Sequence, residues 1–478
     1  MFVSFFFPVF LGSVILLFFL LPARWRPAVL LLSSWFFCGY LETRALIIMV
    51  LISACSYGAG IGFEELRQKE LFKQSRWLTI AAVCLCIMVL AIYKYAIYFL
   101  QRLGIADSVS SEMLENLIMP VGLSFYLFQA IGYLVDVYQG KSRAERNFWY
   151  LGCYFAFFAK LISGPIERED SFLAQMQKID QVRFWNRGRL SEAFTYMLWG
   201  YFMKMVVADR LAVPVGVLFE NPQNFDSFWL LIGALFYTIQ IYCDFAGYSY
   251  IAIGCAHIFG LNLTQNFKSP YLAENITDFW RRWHISLSSW LRDYVYIPLG
   301  GSRKGDIRKC LNTMSVFLIC GAWHGVGFNF IAWGMLHGAY SVADFCLKKR
   351  GKRVPGGRIM TFCAVMFAWI FFRASSLRGA LRYLGNMVTM GVKPGQWLVM
   401  MEQLQLNTVE IVVIVLAIGI IWLTDLLSDA GEIQFPELVQ KKKNANRYLI
   451  FYILIIVIFI FGMYGPGYHA EQFIYMQF

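Results

Sequence analysis

The chain predicts an all-α protein that passes through a membrane many times, and three observations carry that prediction. First, its 478 residues are 59% hydrophobic and 18% aromatic, and only 15% are charged, where a soluble domain carries about 25%. Second, apolar runs approaching the roughly 20 residues that cross a hydrocarbon core follow one another along the whole chain. Third, the basic residues cluster between those runs: Arg24 and Arg26; Arg67, Lys69, Lys73 and Arg76; Lys348 to Arg350 with Lys352 and Arg353; Lys441 to Lys443. Cytoplasmic loops carry such clusters, which also attract anionic lipid head groups. The net charge of +12 therefore does not indicate nucleic acid, whose binding would spread basic charge over a soluble face.

The first run, 2–21, has neither a basic leader nor a small-residue cleavage site, so it is expected to be a retained first helix. Segment 27–40 is shorter and reads as tilted or re-entrant. Runs 45–63, 77–100, 117–138 and 148–162 follow, then the break Gly164-Pro165 and a charged surface stretch, 173–189. Runs 193–207, 228–243 and 248–261 precede a polar, aromatic and basic stretch, 264–308. Runs 311–321, 328–346 and 360–372 come next. A mixed stretch, 373–407, is placed outside the bilayer, and 409–427 and 448–464 complete the series. The total is roughly eleven to fourteen membrane-embedded elements. The chain 1–478 reads as one integral-membrane domain, with 240–345 as its catalytic core segment and 465–478 as a C-terminal tail. No internal repeat is visible, which counts against a transporter built on inverted repeats. The eleven cysteines lie mostly inside apolar runs without a C-x-x-C pair, so disulfides and a metal site are not expected.

Two of only five histidines, His284 and His324, each follow a tryptophan beside long apolar segments. Titratable groups are costly at membrane depth and are kept there mainly for function. Asn275 and Asp278 mark a helix start, with a side-chain cap and an acid in the first turn. The helix that follows places Trp280, His284, Leu287 and Leu291 on one face, as an amphipathic element at an interface or funnel wall. Pro298-Leu299-Gly300-Gly301 ends it in a turn. His324 sits in Gly321-Ala322-Trp323-His324-Gly325-Val326-Gly327, where small residues let backbone or a narrow substrate approach. A neutral imidazole is the natural general base near pH 7; the alternative is a buried histidine bonded between helices. His284 either orients an acyl donor or bonds a backbone carbonyl. His337 reads as a packing or supporting residue, and His257 and His469 carry no further signal.

Arg281, Arg282 and Arg292, together with Arg303 and Lys304, suit the phosphates of a nucleotide-bearing donor, or are charges at the cytoplasmic interface. Trp323 joins the first three as a candidate donor-binding residue. Gln240 and Asp244 lie one helical turn apart inside an apolar run and bond each other or a neighbouring helix, as a structural polar core. The tail Phe473-Ile474-Tyr475-Met476-Gln477-Phe478 follows Gly465-Pro466-Gly467. Tyr475 reads as an interfacial aromatic or, more sharply, as a phenol able to carry an acyl group as an aryl ester.

The blocks Y-T-I-Q-I-Y-C-D-F-A-G-Y-S, D-F-W-R-R-W-H-I-S-L-S-S-W-L-R-D-Y-V-Y-I-P-L-G-G and W-H-G resemble the membrane-bound O-acyltransferase family, within it the bacterial branch of alginate O-acetylation (AlgI-like). The resemblance runs over nearly the whole chain. It implies a ring of tilted helices around a funnel-shaped core, with His324 as the catalytic histidine, His284 as the family's second histidine and Tyr475 as an acyl relay. It also implies acetyl-coenzyme A or another acyl thioester, on coenzyme A or an acyl carrier protein, as donor substrate, with no bound cofactor. The acyl group would cross a bacterial cytoplasmic membrane to a cell-surface or secreted polysaccharide, through an extracytoplasmic SGNH or esterase-like partner. The D-alanyl transfer branch (DltB-like) is more distant, because its block lacks the Y-I-P-L-G-G ending found at 296–301. Val326-Gly327-Phe328-Asn329 departs from the usual run after the catalytic histidine and leaves the polymer open. The alternatives are D-alanyl transfer to a cell-wall polymer and a transporter of acyl donor or polymer.

Overall fold

The computed structural model describes residues 2–105, 110, 114, 117–162 and 164–464. Among the described residues every regular element is helical, whether α, π or 3-10. Among the described residues five helices are long and apolar enough to cross a membrane: Thr43–Gln68, Phe72–Arg102, Ser227–Ile258, Thr408–Gly431 and Asn444–Phe461. Others expected in the bilayer are shorter, such as Phe6–Leu20 with 15 residues and Arg26–Leu41 with 16. The expected run 148–162 is helical only over Phe148–Ala156. The rest of the run contains Lys160, which is buried and donates through Nζ to Gln129 Oε1 and the Tyr154 carbonyl. An ammonium in that position must find acceptors, and the last turn of the helix supplies one of them.

The chain divides into two compact units, one comprising Met1–Ala193 and Ala252–Thr264, the other Phe194–Ile251 and Gln265–Phe478. In the first unit Thr43–Gln68 and Phe72–Arg102 pack on each other and on Leu123–Gln139. Gly60 meets Tyr133 there, so any side chain at 60 would strike the phenol. Glu167, also buried, accepts from the Thr264 N–H at 2.6 Å and from its hydroxyl at 3.0 Å.

Three further runs differ from their expected form. Runs 228–243 and 248–261 are one continuous helix of 32 residues, Ser227–Ile258. Asp244 and Gly247 do not interrupt it. The carboxylate is paired with Lys204 at 2.6 Å, and the Gly247 surface lies against the Gly200 backbone. The run 193–207 is an α-helix only to Tyr201 and continues as a π-helix, Phe202–Ala208. Single-turn π segments are rare and concentrate at functional sites.

Asp306–His324 and Phe328–Lys349 form a tight helical hairpin. Glycines make it possible: a Cβ at Gly321 would meet the Phe330 carbonyl, and one at Gly334 the Phe317 carbonyl. Small residues at such crossings let two backbones approach closely. Gly334→Val is expected to cost about 1–3 kcal/mol or more through overpacking. A melting temperature in detergent equal to wild type would contradict this close approach.

Candidate active site

His324 is the last residue of the Asp306–His324 helix and is buried at 4% exposure. Its ring stands perpendicular to Trp333 at 5.1 Å, edge-on to Phe372 at 5.1 Å and 4.7 Å from Trp323. The turn after it, Gly325-Val326-Gly327, fits only small residues: a Cβ at 325 would enter the Phe330 ring, and one at 327 would meet Asn329 Oδ1. Asn329 then donates to the carbonyls of Phe371 at 3.2 Å and Ala374 at 2.9 Å, tying the hairpin to the end of Gly357–Arg373. It belongs to the 326–329 run that departs from the family pattern. Sequence reasoning gave it no structural role, because its two acceptors lie more than 40 residues away.

The continuous amphipathic helix expected through His284 is broken there. Ile276–Arg282 and Ile285–Leu291 are separate short helices, and His284 adopts a left-handed conformation between them, φ 44° and ψ 54°. Such a conformation is uncommon outside glycine and is tolerated better by histidine and asparagine than by branched residues. Asn266 holds the break: its carbonyl accepts from Ile285 N–H at 3.0 Å and its Oδ1 from Ser286 N–H at 3.2 Å. The expected cap is present, with Asn275 Oδ1 accepting from Asp278 N–H at 2.9 Å. The break sends the His284 ring inward, 4.7 Å from Phe245 and 6.5 Å from Trp323. Complete burial pushes its imidazole below the ordinary histidine value, so the ring is neutral across the physiological range. Trp323 thus stands between the two histidines, in contact with both rings. Asn266→Ala is expected to lower transfer activity by loosening His284; activity equal to wild type would show the break to be held by other contacts.

The arginines separate into two groups. Arg281 and Arg282 line a cavity of about 1380 Å³, together with Lys309, Lys348, Lys352, Arg353 and Arg358. Arg282 is committed to Asp278 at 3.0 Å and Asp429 at 2.5 Å. Arg281, Lys309, Lys348, Lys352 and Arg353 make no ion pair among the described residues, and Lys309 lies over the Phe345 ring at 3.5 Å. Arg292 does not line the cavity; it pairs with its neighbour Asp293 at 2.7 Å and is largely exposed. Trp323 likewise belongs to the histidines rather than to this vestibule. Trp280 links the two regions: it lines the vestibule, donates its indole N–H to His337 Nδ1 at 3.3 Å, and lies 5.9 Å from Trp333.

Asp244 bonds a neighbouring helix rather than Gln240. Lys204 Nζ lies 2.6 Å from Asp244 and 2.7 Å from Asp209, with all three side chains buried. Gln240 is buried on the same helix, and its Oε1 has no partner among the described residues. The sequence signal for Lys204 was Asp244 itself, an acid in an apolar run that requires a countercharge. Tyr475 and His469 lie outside the described residues.

Helices of bilayer length, and two buried imidazoles set among tryptophans near a cationic vestibule, define an integral membrane enzyme. The family model for the membrane-bound O-acyltransferases matches residues 146–381. The chain is 36% identical over 427 residues to a probable alginate O-acetylase AlgI of Pseudomonas putida, covering 87% of this chain and 84% of that protein. It is 33% identical over 402 residues to a peptidoglycan O-acetyltransferase of Helicobacter pylori, covering 77% and 74%. A teichoic acid D-alanyltransferase of Bacillus subtilis matches more distantly, at 26% over 271 residues, covering 54% and 67%. The chain belongs to the membrane-bound O-acyltransferase family and is a multi-pass membrane acyltransferase.

Proposed function

We propose that the protein moves an acetyl group from a cytosolic acyl thioester across a bacterial cytoplasmic membrane, for O-acetylation of a cell-surface or secreted polysaccharide. The observation that supports this best is the path of contacts from cations to base. Five basic side chains that make no ion pair among the described residues line the vestibule, Trp280 shares its wall, and Trp280 touches Trp333, which packs on His324. Phosphates of coenzyme A, or of a carrier protein's pantetheine, suit the cations, and an acyl chain suits the aromatic wall. The greater identity and coverage of the alginate O-acetylase favour acetyl over D-alanyl transfer. The ring of helices and water-poor funnel implied by the resemblance belong to the same reading, since dry surroundings limit thioester hydrolysis.

In this reading His324 takes the proton of the Tyr475 hydroxyl as its oxygen attacks the thioester carbonyl carbon. The C–O bond forms, the C–S bond breaks, and the departing thiolate takes the proton back from the imidazolium. The aryl acetate then passes its acetyl group to a nucleophile of an extracytoplasmic SGNH or esterase-like partner, and from there to a sugar hydroxyl. His284 orients the donor.

The test uses purified protein in detergent with radiolabelled acetyl-coenzyme A, comparing wild type, His324→Ala and Tyr475→Phe. Label on Tyr475 that depends on His324 supports the relay. Label retained in Tyr475→Phe overturns the relay, and no turnover by folded wild type overturns coenzyme A as donor. Each charge-assisted phosphate contact is worth about 1.5–3 kcal/mol. Arg281→Ala with Lys352→Ala should therefore raise the donor KM roughly tenfold or more, with kcat little changed. An unchanged KM would place the donor elsewhere.

A further inference from the structure

The environment of His337 contains more than packing. The ring is completely buried, and its Nδ1 accepts a hydrogen bond from Trp280 Nε1 at 3.3 Å. An imidazole whose Nδ1 is an acceptor carries its proton on Nε2 when neutral. That Nε2 has no hydrogen-bond partner among the described residues. Neither have the indole nitrogens of Trp333 and Trp369, both also completely buried.

The three rings touch one another. Trp333 lies 4.9 Å from His337 and 5.8 Å from Trp369, and His337 and Trp369 are 6.2 Å apart. Trp333 also packs on His324. Buried polar groups are almost always satisfied, and each exception calls for a cause. Here three exceptions sit on mutually contacting rings beside the candidate base. All three are donors, because indole nitrogen donates only and the His337 lone pair is already used by Trp280. A partner able to satisfy them must therefore be rich in acceptors, as a carbonyl oxygen or an oxyanion is. For the same reason His337 is unsuited to act as a second base: it has no free lone pair with which to take a proton.

We infer that His337 Nε2, with the indole N–H groups of Trp333 and Trp369, binds the carbonyl oxygen of the acyl thioester and stabilises the negative charge it gains on attack. This rests on the acyl-transfer reading of the preceding section. When the nucleophile adds to the carbonyl carbon, the C=O electron pair moves onto oxygen. It returns when the C–S bond breaks, and no proton is exchanged with these donors. Donors fixed in advance among aromatic rings stabilise such an oxyanion more strongly than water does. The Trp280 hydrogen bond fixes which nitrogen of His337 bears the proton. Because Trp280 also lines the vestibule, the tautomer is held by a residue that the donor passes.

The experiment uses the full chain in detergent and follows thioester loss from acetyl-coenzyme A. His337→Phe keeps a ring and removes the donor; His337→Gln restores an N–H. His337→Phe is expected to lower kcat roughly 10²–10³-fold, the effect of losing one oxyanion donor, with KM within about twofold. His337→Gln is expected to regain part of that loss. Trp369→Phe serves as a second variant, read in the same way, should His337→Phe fail to fold. A readout independent of turnover is the infrared band of ¹³C-carbonyl acetyl-coenzyme A bound to His324→Ala. It should fall in frequency on binding, and the fall should disappear when His337→Phe is added. Wild-type kcat in folded His337→Phe, or a carbonyl band that does not move, overturns the assignment while leaving acyl transfer intact. A lower melting temperature with unchanged kcat also overturns it, as the result for donors that hold only structural water. Absence of thioester turnover by folded wild type overturns acyl transfer from this donor, and this assignment with it.

Discussion

His324→Ala is expected to abolish acyl transfer while the protein still inserts and melts as wild type does. Loss of a positioned general base costs about 10²–10⁴-fold in rate, and a group that also returns the proton to the departing thiolate sits at the upper end. The stability cost is small by comparison, because the ring ends a helix and its neighbours Trp333 and Phe372 remain packed on one another. Release of free thiol from acetyl-coenzyme A, measured beside the melting temperature in detergent, separates the two effects. Full activity in this variant would remove His324 from the mechanism and leave it as a buried interhelical histidine. A lost melting transition would instead make the histidine structural.

Lys204→Met is expected to be the most destabilising single change among the charged residues. Lys204 stands between two buried carboxylates, Asp209 at 2.7 Å and Asp244 at 2.6 Å, and lies over the Tyr248 ring at 5.2 Å. Removing it leaves two acids uncompensated in an apolar setting, a penalty of about 3–5 kcal/mol for a broken buried pair. The π-helix that carries Lys204 also accepts a backbone hydrogen bond, from Met463 N–H to the Met205 carbonyl at 3.0 Å. Loss of the triad therefore disturbs the point where the C-terminal segment leaves Asn444–Phe461. Replacing all three groups with neutral ones, Lys204→Met with Asp209→Asn and Asp244→Asn, should recover part of the lost stability. The check is the melting temperature of single and triple variants beside an exposed control such as Lys348→Met. A single variant as stable as the control would show that the acids are satisfied by other means.

Much of this could be read from the residues alone. Apolar runs separated by basic clusters fix a membrane-embedded helical class, because backbone groups in lipid are satisfied only by helices or closed barrels, and barrel strands are short and alternate apolar with polar residues. The W-H pairs and the long block from Asp278 to Gly301 fix the family, and the comparisons bear that out. The glycines flanking His324 declare a close backbone approach, and Gly321 and Gly334 make one. Local signals of this kind survive in sequence because cap, turn and periodicity are set by neighbouring residues.

What the tertiary structure alone decided involves partners distant in sequence. Nothing near His284 announces a helix break; it is held by Asn266, whose backbone and side chain replace the interrupted helical hydrogen bonds. Asp244 in an apolar run declares the need for a countercharge, but only the fold shows that Lys204, 40 residues earlier on another helix, supplies it. The arginines looked alike in sequence, yet Arg281 and Arg282 line the vestibule while Arg292 is spent on its neighbour. In sequence His337 reads as packing; in the fold Trp280 donates to its Nδ1, which makes the other nitrogen a donor. In each case residue type sets what a group is able to do, and the folded contacts decide which of its lone pairs, protons or charges remain available to do it.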